Sequence, residues 1–121
     1  MSATYTIYHN PRCSKSRQTM ALLEEHNITP TVVEYLSNPP DAETLTHLLS
    51  LLGLEPRGLM RTKEEDYRQA DLADPARSDT ELIAGMVAHP KIIERPIVVR
   101  HDVDGEQAVL GRPPENVLAL L

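Results

Sequence analysis

The segment Tyr8–Arg17, reading YHNPRCSKSR, places the only cysteine of the chain, Cys13, between a predicted strand and a predicted helix. The preceding residues, Thr4–Tyr8, alternate β-branched and aromatic side chains, which favours a short strand. Proline cannot donate to a sheet ladder, so Pro11 ends that strand. Ser14–His26 lacks Gly and Pro and is rich in helix formers, which predicts a helix. Cys13 is therefore expected at the N-terminus of the first helix.

A thiol at this position is expected to be reactive. The unpaired N–H groups and the partial positive charge of a helix N-terminus favour a thiolate over a thiol. Arg12, Lys15 and Arg17 add formal positive charge, and no acidic residue lies between positions 8 and 18. A lone cysteine commonly packs as a small apolar residue, but the neighbours of this one are polar or charged apart from Pro11. We expect the pKa of Cys13 to lie below the ordinary thiol value of about 8.5.

The composition predicts one globular domain over residues 1–121 and excludes several classes of function. A net charge of −6 without Phe or Trp argues against nucleic-acid binding. No apolar run approaches the roughly 20 residues that cross a bilayer, and the first residues lack the pattern of a signal peptide. A single cysteine cannot form an internal disulfide, which favours the cytoplasm. The five histidines lack zinc-site spacing, so we expect no metal.

The order of the predicted elements indicates an α/β fold. Thr31–Leu36 is a second strand candidate, and a strand, a helix and a strand within so few residues predict a βαβ unit with parallel strands. Residues 41–90 then form a predicted helical insertion. Within it, Asp41 and the Ser78–Glu81 capping box are expected to begin two helices.

The last third of the chain returns to strands. Ile97–Arg100 and Gln107–Leu110 flank an Asp-Gly pair at positions 104–105, which is a strong hairpin signal. A short final helix is expected over Glu115–Leu121. The apolar side chains that this helix is expected to bury are Val117, Leu118 and Leu121. The complete order, β-α-β … β-β-α with the helical insertion between the second and third strands, predicts a thioredoxin-like mixed β-sheet.

With these residues in view, the chain resembles the glutaredoxin-dependent arsenate reductase family over essentially its whole length. The motifs that carry the resemblance are YHNPRCSKSR at Tyr8–Arg17, YLSNPP at Tyr35–Pro40, LMR at Leu59–Arg61, HPKIIERPIVV at His89–Val99 and GRPPE at Gly111–Glu115. Several distinct blocks in the right order are a specific signal. The resemblance implies a thioredoxin-like fold and the reduction of arsenate to arsenite.

The resemblance also implies roles for individual residues. Cys13 would attack arsenate to form a covalent adduct, glutathione would add as co-substrate, and glutaredoxin would resolve the adduct. The residues implied to hold the oxyanion are Arg61, Arg95 and Arg112. The residues implied to support the site are His9, Arg12, Ser16 and Pro96, the last expected to follow a cis peptide bond. No bound cofactor is implied, and we expect a monomer.

Three alternatives stay open at this point, and one of them is an inactive or differently specific relative, since the implied pocket would accept other tetrahedral oxyanions such as phosphate. The family also resembles regulators that bind RNA polymerase, whose redox-sensing members typically carry paired cysteines. Here Ser16 stands three residues after Cys13, which argues against a dithiol switch. A glutathione-dependent thiol transferase acting on mixed disulfides would need Cys13 but has no obvious need of three arginines. An arginine has a planar fork that binds two oxygens of an oxyanion at once, so the three matching arginines favour an enzyme acting on an oxyanion over a binding module.

Overall fold

The structure is a computed structural model that describes residues 3–121, and the described residues divide into two compact units. The first, called the sheet unit below, combines the chain up to Asn38 with Arg95–Leu121. The second, called the helical unit, comprises Pro39–Glu94 and holds the segment predicted as the insertion over 41–90.

Four strands form one mixed sheet in the sheet unit. Strands β1 (Thr4–His9), β2 (Thr31–Glu34), β3 (Ile97–Asp102) and β4 (Gly105–Leu110) lie in the order β2-β1-β3-β4. Helix α1 (Ser14–Glu25) connects β1 to its parallel neighbour β2, while β3 is antiparallel to both β1 and β4. The predicted thioredoxin-like α/β fold is confirmed.

The C-terminal segment differs from its prediction. Pro114–Leu120 is a 3₁₀-helix and not an α-helix. Because a 3₁₀-helix has three residues per turn, positions 114, 117 and 120 share one face, and Val117 and Leu120 on that face are buried. Leu118 and Leu121 fall on other faces and are 42% and 43% exposed, so their predicted burial is wrong.

Helix α1 and the final 3₁₀-helix pack against the same face of the sheet. Their shared apolar core comprises Ile7, Leu23, Val98, Val117 and Leu120. One strand residue from β1 and one from β3 thus contact both helical elements. This packing holds the start of α1 beside the carboxyl end of β1, where the thiol lies.

The helical unit contains α2 (Ala42–Leu52), α3 (Glu65–Gln69) and α4 (Asp79–Ala88). The predicted cap of α2 is confirmed, since Asp41 accepts a hydrogen bond from the Thr44 N–H at 2.8 Å. The predicted capping box before α4 is also confirmed, with both of its reciprocal bonds formed.

Two extended segments of the helical unit run beside each other. Met60 and Ile93 form an antiparallel bridge. The N–H groups that follow them donate to carbonyls across the bridge, from Arg61 to Ile92 at 2.6 Å and from Glu94 to Leu59 at 2.7 Å. This pairing holds the side chains of Arg61 and Glu94 next to each other.

Candidate active site

A four-residue turn carries the chain from β1 into α1. The Cys13 N–H donates to the Asn10 carbonyl at 3.0 Å, and the Arg12 N–H donates to the Asn10 side-chain oxygen at 3.0 Å. Pro11 occupies the second position of the turn, where its fixed φ fits. The sequence predicted the break at Asn10-Pro11, since Asn followed by Pro is a strong turn signal, but it did not assign these two hydrogen bonds to Asn10. Cys13 becomes the N-cap of α1, as predicted, with extended backbone angles.

The thiol of Cys13 is partly buried among hydrogen-bond donors. Burial acts to raise its pKa, but donation from the Ser16 N–H, the Arg95 side chain and the Lys15 N–H outweighs that effect. The positive charge of Arg95 acts in the same direction. The pKa of Cys13 is therefore lowered, which confirms the prediction made from the helix start. A thiol with these partners is poised to act as a nucleophile.

Behind the thiol, a buried pair of side chains ties the end of β1 to the first turn of α1. The Ser16 hydroxyl accepts from the Asn10 N–H at 3.0 Å and lies 2.6 Å from His9 Nδ1. Because a hydroxyl group has one proton and two lone pairs, Ser16 can either donate to His9 Nδ1 or accept from it. Burial lowers the pKa of His9; Glu34 opposes that shift and Arg17 reinforces it. His9 is therefore a neutral hydrogen-bond partner of Ser16 near neutral pH.

Strand pairing brings two of the predicted arginines to this end of the sheet. Tyr8, near the end of β1, pairs with Ile97 at the start of β3. Ile97 in turn pairs with Leu110 at the end of β4. Arg95 lies two residues before Ile97 and Arg112 two residues after Leu110, so both flank the carboxyl end of β1.

Arg95 and Arg112 differ in their surroundings. The Arg95 side chain hydrogen-bonds Cys13, and its Nε is buried with no hydrogen-bond partner among residues 3–121. Arg112 is exposed, and its guanidinium lies 3.4 Å from the Arg95 carbonyl oxygen. The predicted cis bond before Pro96 is confirmed, and a second one precedes Pro113. Arg95 thus places a hydrogen-bond donor and a positive charge beside the thiol.

Arg61, the third predicted arginine, lies in the helical unit. Its guanidinium donates to Glu64 at 2.8 Å and lies 3.4 Å from a carboxylate oxygen of Glu94. Arg61 and both carboxylates line a cavity of about 330 Å³. Arg12, another residue predicted to support the site, is exposed at the turn between β1 and α1. The structure therefore gathers Cys13, His9, Ser16, Arg95 and Arg112 in one unit and holds Arg61 in the other.

Residues 3–121 contain no group of three or more His, Cys, Asp or Glu side chains that could hold a metal ion. None of the helices formed by these residues is both long and apolar enough to span a membrane.

Comparison with known proteins decides the family. The profile of the ArsC family matches residues 8–120. The chain belongs to the ArsC family. This ArsC protein is 50% identical over 122 residues to a protein of Escherichia coli K12 named "Uncharacterized protein YfgD", covering 100% of this chain and 99% of that one. It is 43% identical over 116 residues to an arsenate reductase of Neisseria meningitidis, covering 95% and 96% of the two chains.

Solved structures agree with this assignment. The arsenate reductase from Vibrio cholerae is 51% identical to this ArsC protein and matches it with a TM-score of 0.93 over 100% of both chains. The family resemblance and the fold inferred from the sequence motifs are therefore confirmed.

Proposed function

We propose that this ArsC protein reduces arsenate to arsenite in the cytoplasm, with Cys13 as nucleophile and with glutathione and glutaredoxin as the source of electrons. The observation that carries the proposal is the pairing of a thiol of lowered pKa with the Arg95 side chain, whose buried Nε–H has no described partner. Support also comes from relatives named arsenate reductases in Neisseria meningitidis and Vibrio cholerae.

The charge of the reactants explains why arginines are needed beside the thiolate. Arsenate is a tetrahedral anion, so an anionic thiolate is repelled from it unless cations neutralise the oxygens first. Arg95 reaches the thiol, and Arg112 lies beside the Arg95 main chain. A guanidinium stays charged at all working pH values and can bind two oxygens through parallel N–H groups. Donors fixed in advance also stabilise the charge that shifts onto oxygen as sulfur attacks.

We also propose Arg61 as a third contact to the oxyanion, as the family resemblance implies. A guanidinium has five N–H donors, and Glu64 and Glu94 engage two of its nitrogens, Nη1 and Nε. The remaining nitrogen, Nη2, takes part in neither of these two contacts. The two carboxylates would fix the plane of the guanidinium while leaving part of its fork for the ligand.

The proposed reaction proceeds in four balanced steps. The Cys13 thiolate displaces one arsenate oxygen, which leaves as water after protonation, and arsenic remains pentavalent. The glutathione thiolate displaces a second oxygen in the same way. A glutaredoxin thiolate then attacks the glutathione sulfur, so that the sulfur–arsenic electron pair passes to arsenic and reduces it to the trivalent state. Water finally displaces the Cys13 sulfur, which releases arsenite and regenerates the thiolate.

The external thiols are needed in this scheme because the chain has only one cysteine. Position 16, where a second cysteine would complete a C-x-x-C pair, is a serine whose hydroxyl is buried and bonded to His9. With one cysteine in the whole chain, no internal disulfide can carry away the two electrons. The mixed disulfide must therefore form between glutathione and glutaredoxin.

The test is a coupled assay of the purified protein with arsenate, glutathione, glutaredoxin, glutathione reductase and NADPH. We expect arsenate-dependent oxidation of NADPH that is abolished in Cys13→Ser and absent when either glutathione or glutaredoxin is omitted, because arsenic stays pentavalent until the glutaredoxin thiolate attacks the arsenic-bound glutathione sulfur. Lys at Arg61, Arg95 or Arg112 should reduce turnover despite the retained charge, because the fork is lost. Arg68→Lys is the matched control, since Arg68 is 74% exposed and pairs with Glu65 on α3.

Each rival function has its own outcome in this assay. Turnover of a glutathione mixed disulfide without any arsenate-dependent rate would identify a thiol transferase. Absence of both rates, together with co-purification with RNA polymerase, would identify a regulator. Full activity in all three Lys variants would remove the arginines from the proposed oxyanion site.

A further inference from the structure

We propose that Thr19 and Gly111 are positioning residues, which together with Pro96 lock the thiol and the two arginines of the sheet unit into one geometry. The catalytic meaning of this lock rests on the proposed function. Neither Thr19 nor Gly111 touches the thiol, and both act through the chain segments that do.

Thr19 is fully buried on the inner face of α1. Its hydroxyl donates to the Lys15 carbonyl at 2.9 Å and lies 3.4 Å from the Gly111 carbonyl oxygen. Lys15 is one of the residues whose N–H stabilises the Cys13 thiolate. Thr19 therefore links the first turn of α1, where the thiol is bound, to the chain that leaves β4.

Gly111 is required at its position by the closeness of its neighbours. A Cβ atom on Gly111 would lie 2.5 Å from Thr19 Oγ1 and 2.8 Å from Pro96 Cγ, both far inside van der Waals contact. Its N–H also donates to the Pro96 carbonyl at 2.9 Å. The left-handed glycines of the described chain are Gly53 and Gly105, so the reason for glycine at position 111 is space and not backbone conformation.

Two members of this contact, Pro96 and Gly111, adjoin arginines of the proposed site in the sequence. Pro96 directly follows Arg95, and Gly111 directly precedes Arg112. A shift of either neighbour away from Thr19 would move an arginine relative to the helix that holds the thiol. Because the three residues are buried and in direct contact, the displacement cannot be absorbed by solvent-filled space.

Gly111→Ala tests the lock directly. The added methyl group must push Thr19 or Pro96 away by about half an ångström or more, because real Cβ contacts essentially never fall below 3.0 Å, and Arg95 then loses part of its contact with the thiolate. We expect the pH profile of iodoacetamide alkylation of Cys13 to move to higher pH. We expect kcat/KM for arsenate to fall by about tenfold, since a misplacement of about 1 Å can cost about 100-fold.

Gly85→Ala is the matched control. A Cβ at Gly85 would also be crowded, at 2.8 Å from Leu72 Cδ2, but the neighbour is the movable tip of a leucine in the helical unit. This variant should leave both the alkylation profile and turnover unchanged. Circular dichroism and thermal unfolding establish which variants are folded.

Thr19→Val provides a second test if Gly111→Ala does not fold, because it removes the hydroxyl without adding volume. It should shift the alkylation profile in the same direction by a smaller amount. If the folded Gly111→Ala and Thr19→Val variants show the wild-type pH profile of Cys13 alkylation, the proposal is overturned, whatever their turnover. If the wild-type protein itself shows no arsenate-dependent rate, the proposed function fails, and the alkylation profile still decides whether the lock exists.

Discussion

Arg95→Met removes the one arginine whose side chain hydrogen-bonds the Cys13 thiolate. Methionine keeps much of the apolar length of the arginine stem but has no N–H donor and no charge. The Ser16 and Lys15 N–H groups remain in place, so the thiolate keeps its main-chain donors. The expected result is a weaker preference for the thiolate, seen as slower alkylation at pH values below the thiol pKa.

The magnitude follows from the kind of contact that is lost. A hydrogen bond to a charged group contributes about 1.5–3 kcal/mol. Because Cys13 is only partly buried, water replaces some of the lost stabilisation, and about half of the upper value, roughly 1.5 kcal/mol, is the expected cost. That energy corresponds to about a tenfold change in the ratio of thiolate to thiol.

The assay is the second-order rate constant of iodoacetamide alkylation, followed across the pH range by mass spectrometry. Cys13 is the only cysteine, so the signal belongs to one residue. At acidic pH we expect Arg95→Met to react about tenfold more slowly than the wild type, whereas at alkaline pH, where both are fully ionised, the rates should converge. Arg95→Lys should fall between the two, since it keeps the charge without the fork.

Arg68→Met controls for the loss of a positive charge elsewhere on the protein, and its profile should match the wild type. An Arg95→Met profile identical to the wild type would refute the assignment of Arg95 as a stabiliser of the thiolate. Equal slowing in Arg68→Met would instead attribute the effect to the overall charge of the protein.

Three further predictions concern the same site. Ser16→Ala strands the buried Asn10 N–H and His9 Nδ1, so the free energy of unfolding measured with urea should fall by about 2 kcal/mol; an unchanged value would contradict a structural role for this hydroxyl. Burial holds the pKa of His9 below 6.5, so between 6.5 and that lower value the unfolded chain binds more protons and stability falls as the pH is lowered. His9→Asn should flatten that slope in urea titrations, and an equal slope in both proteins would count against a neutral His9. Phosphate should inhibit arsenate reduction competitively without turnover, because it shares the shape and charge of arsenate but is not readily reduced by thiols; product formation from phosphate, or no inhibition, would argue against an oxyanion site.

Local sequence determined the surroundings of the thiol. The β-branched run before Asn10-Pro11 and the helix formers after Cys13 act within a few residues of each other, so strand, turn and helix could be predicted together. The capping residues Asp41 and Ser78 were predictable for the same reason, because each bonds an N–H three residues away. The order of the motifs along the sequence further identified the family and its fold.

Tertiary structure decided which distant residues join the thiol. The pairing of Tyr8 with Ile97, and of Ile97 with Leu110, brings Arg95 and Arg112 to the carboxyl end of β1, and no local pattern specifies that register. The 3₁₀ form of the final helix, with Leu118 exposed, likewise depends on the sheet face that it covers. The YHNPRCSKSR segment alone therefore determined a reactive cysteine, because propensity and helix-end charge act locally. Its arginine partner and the tight contact of Gly111 with Thr19 arise only when strands nearly one hundred residues apart pack together.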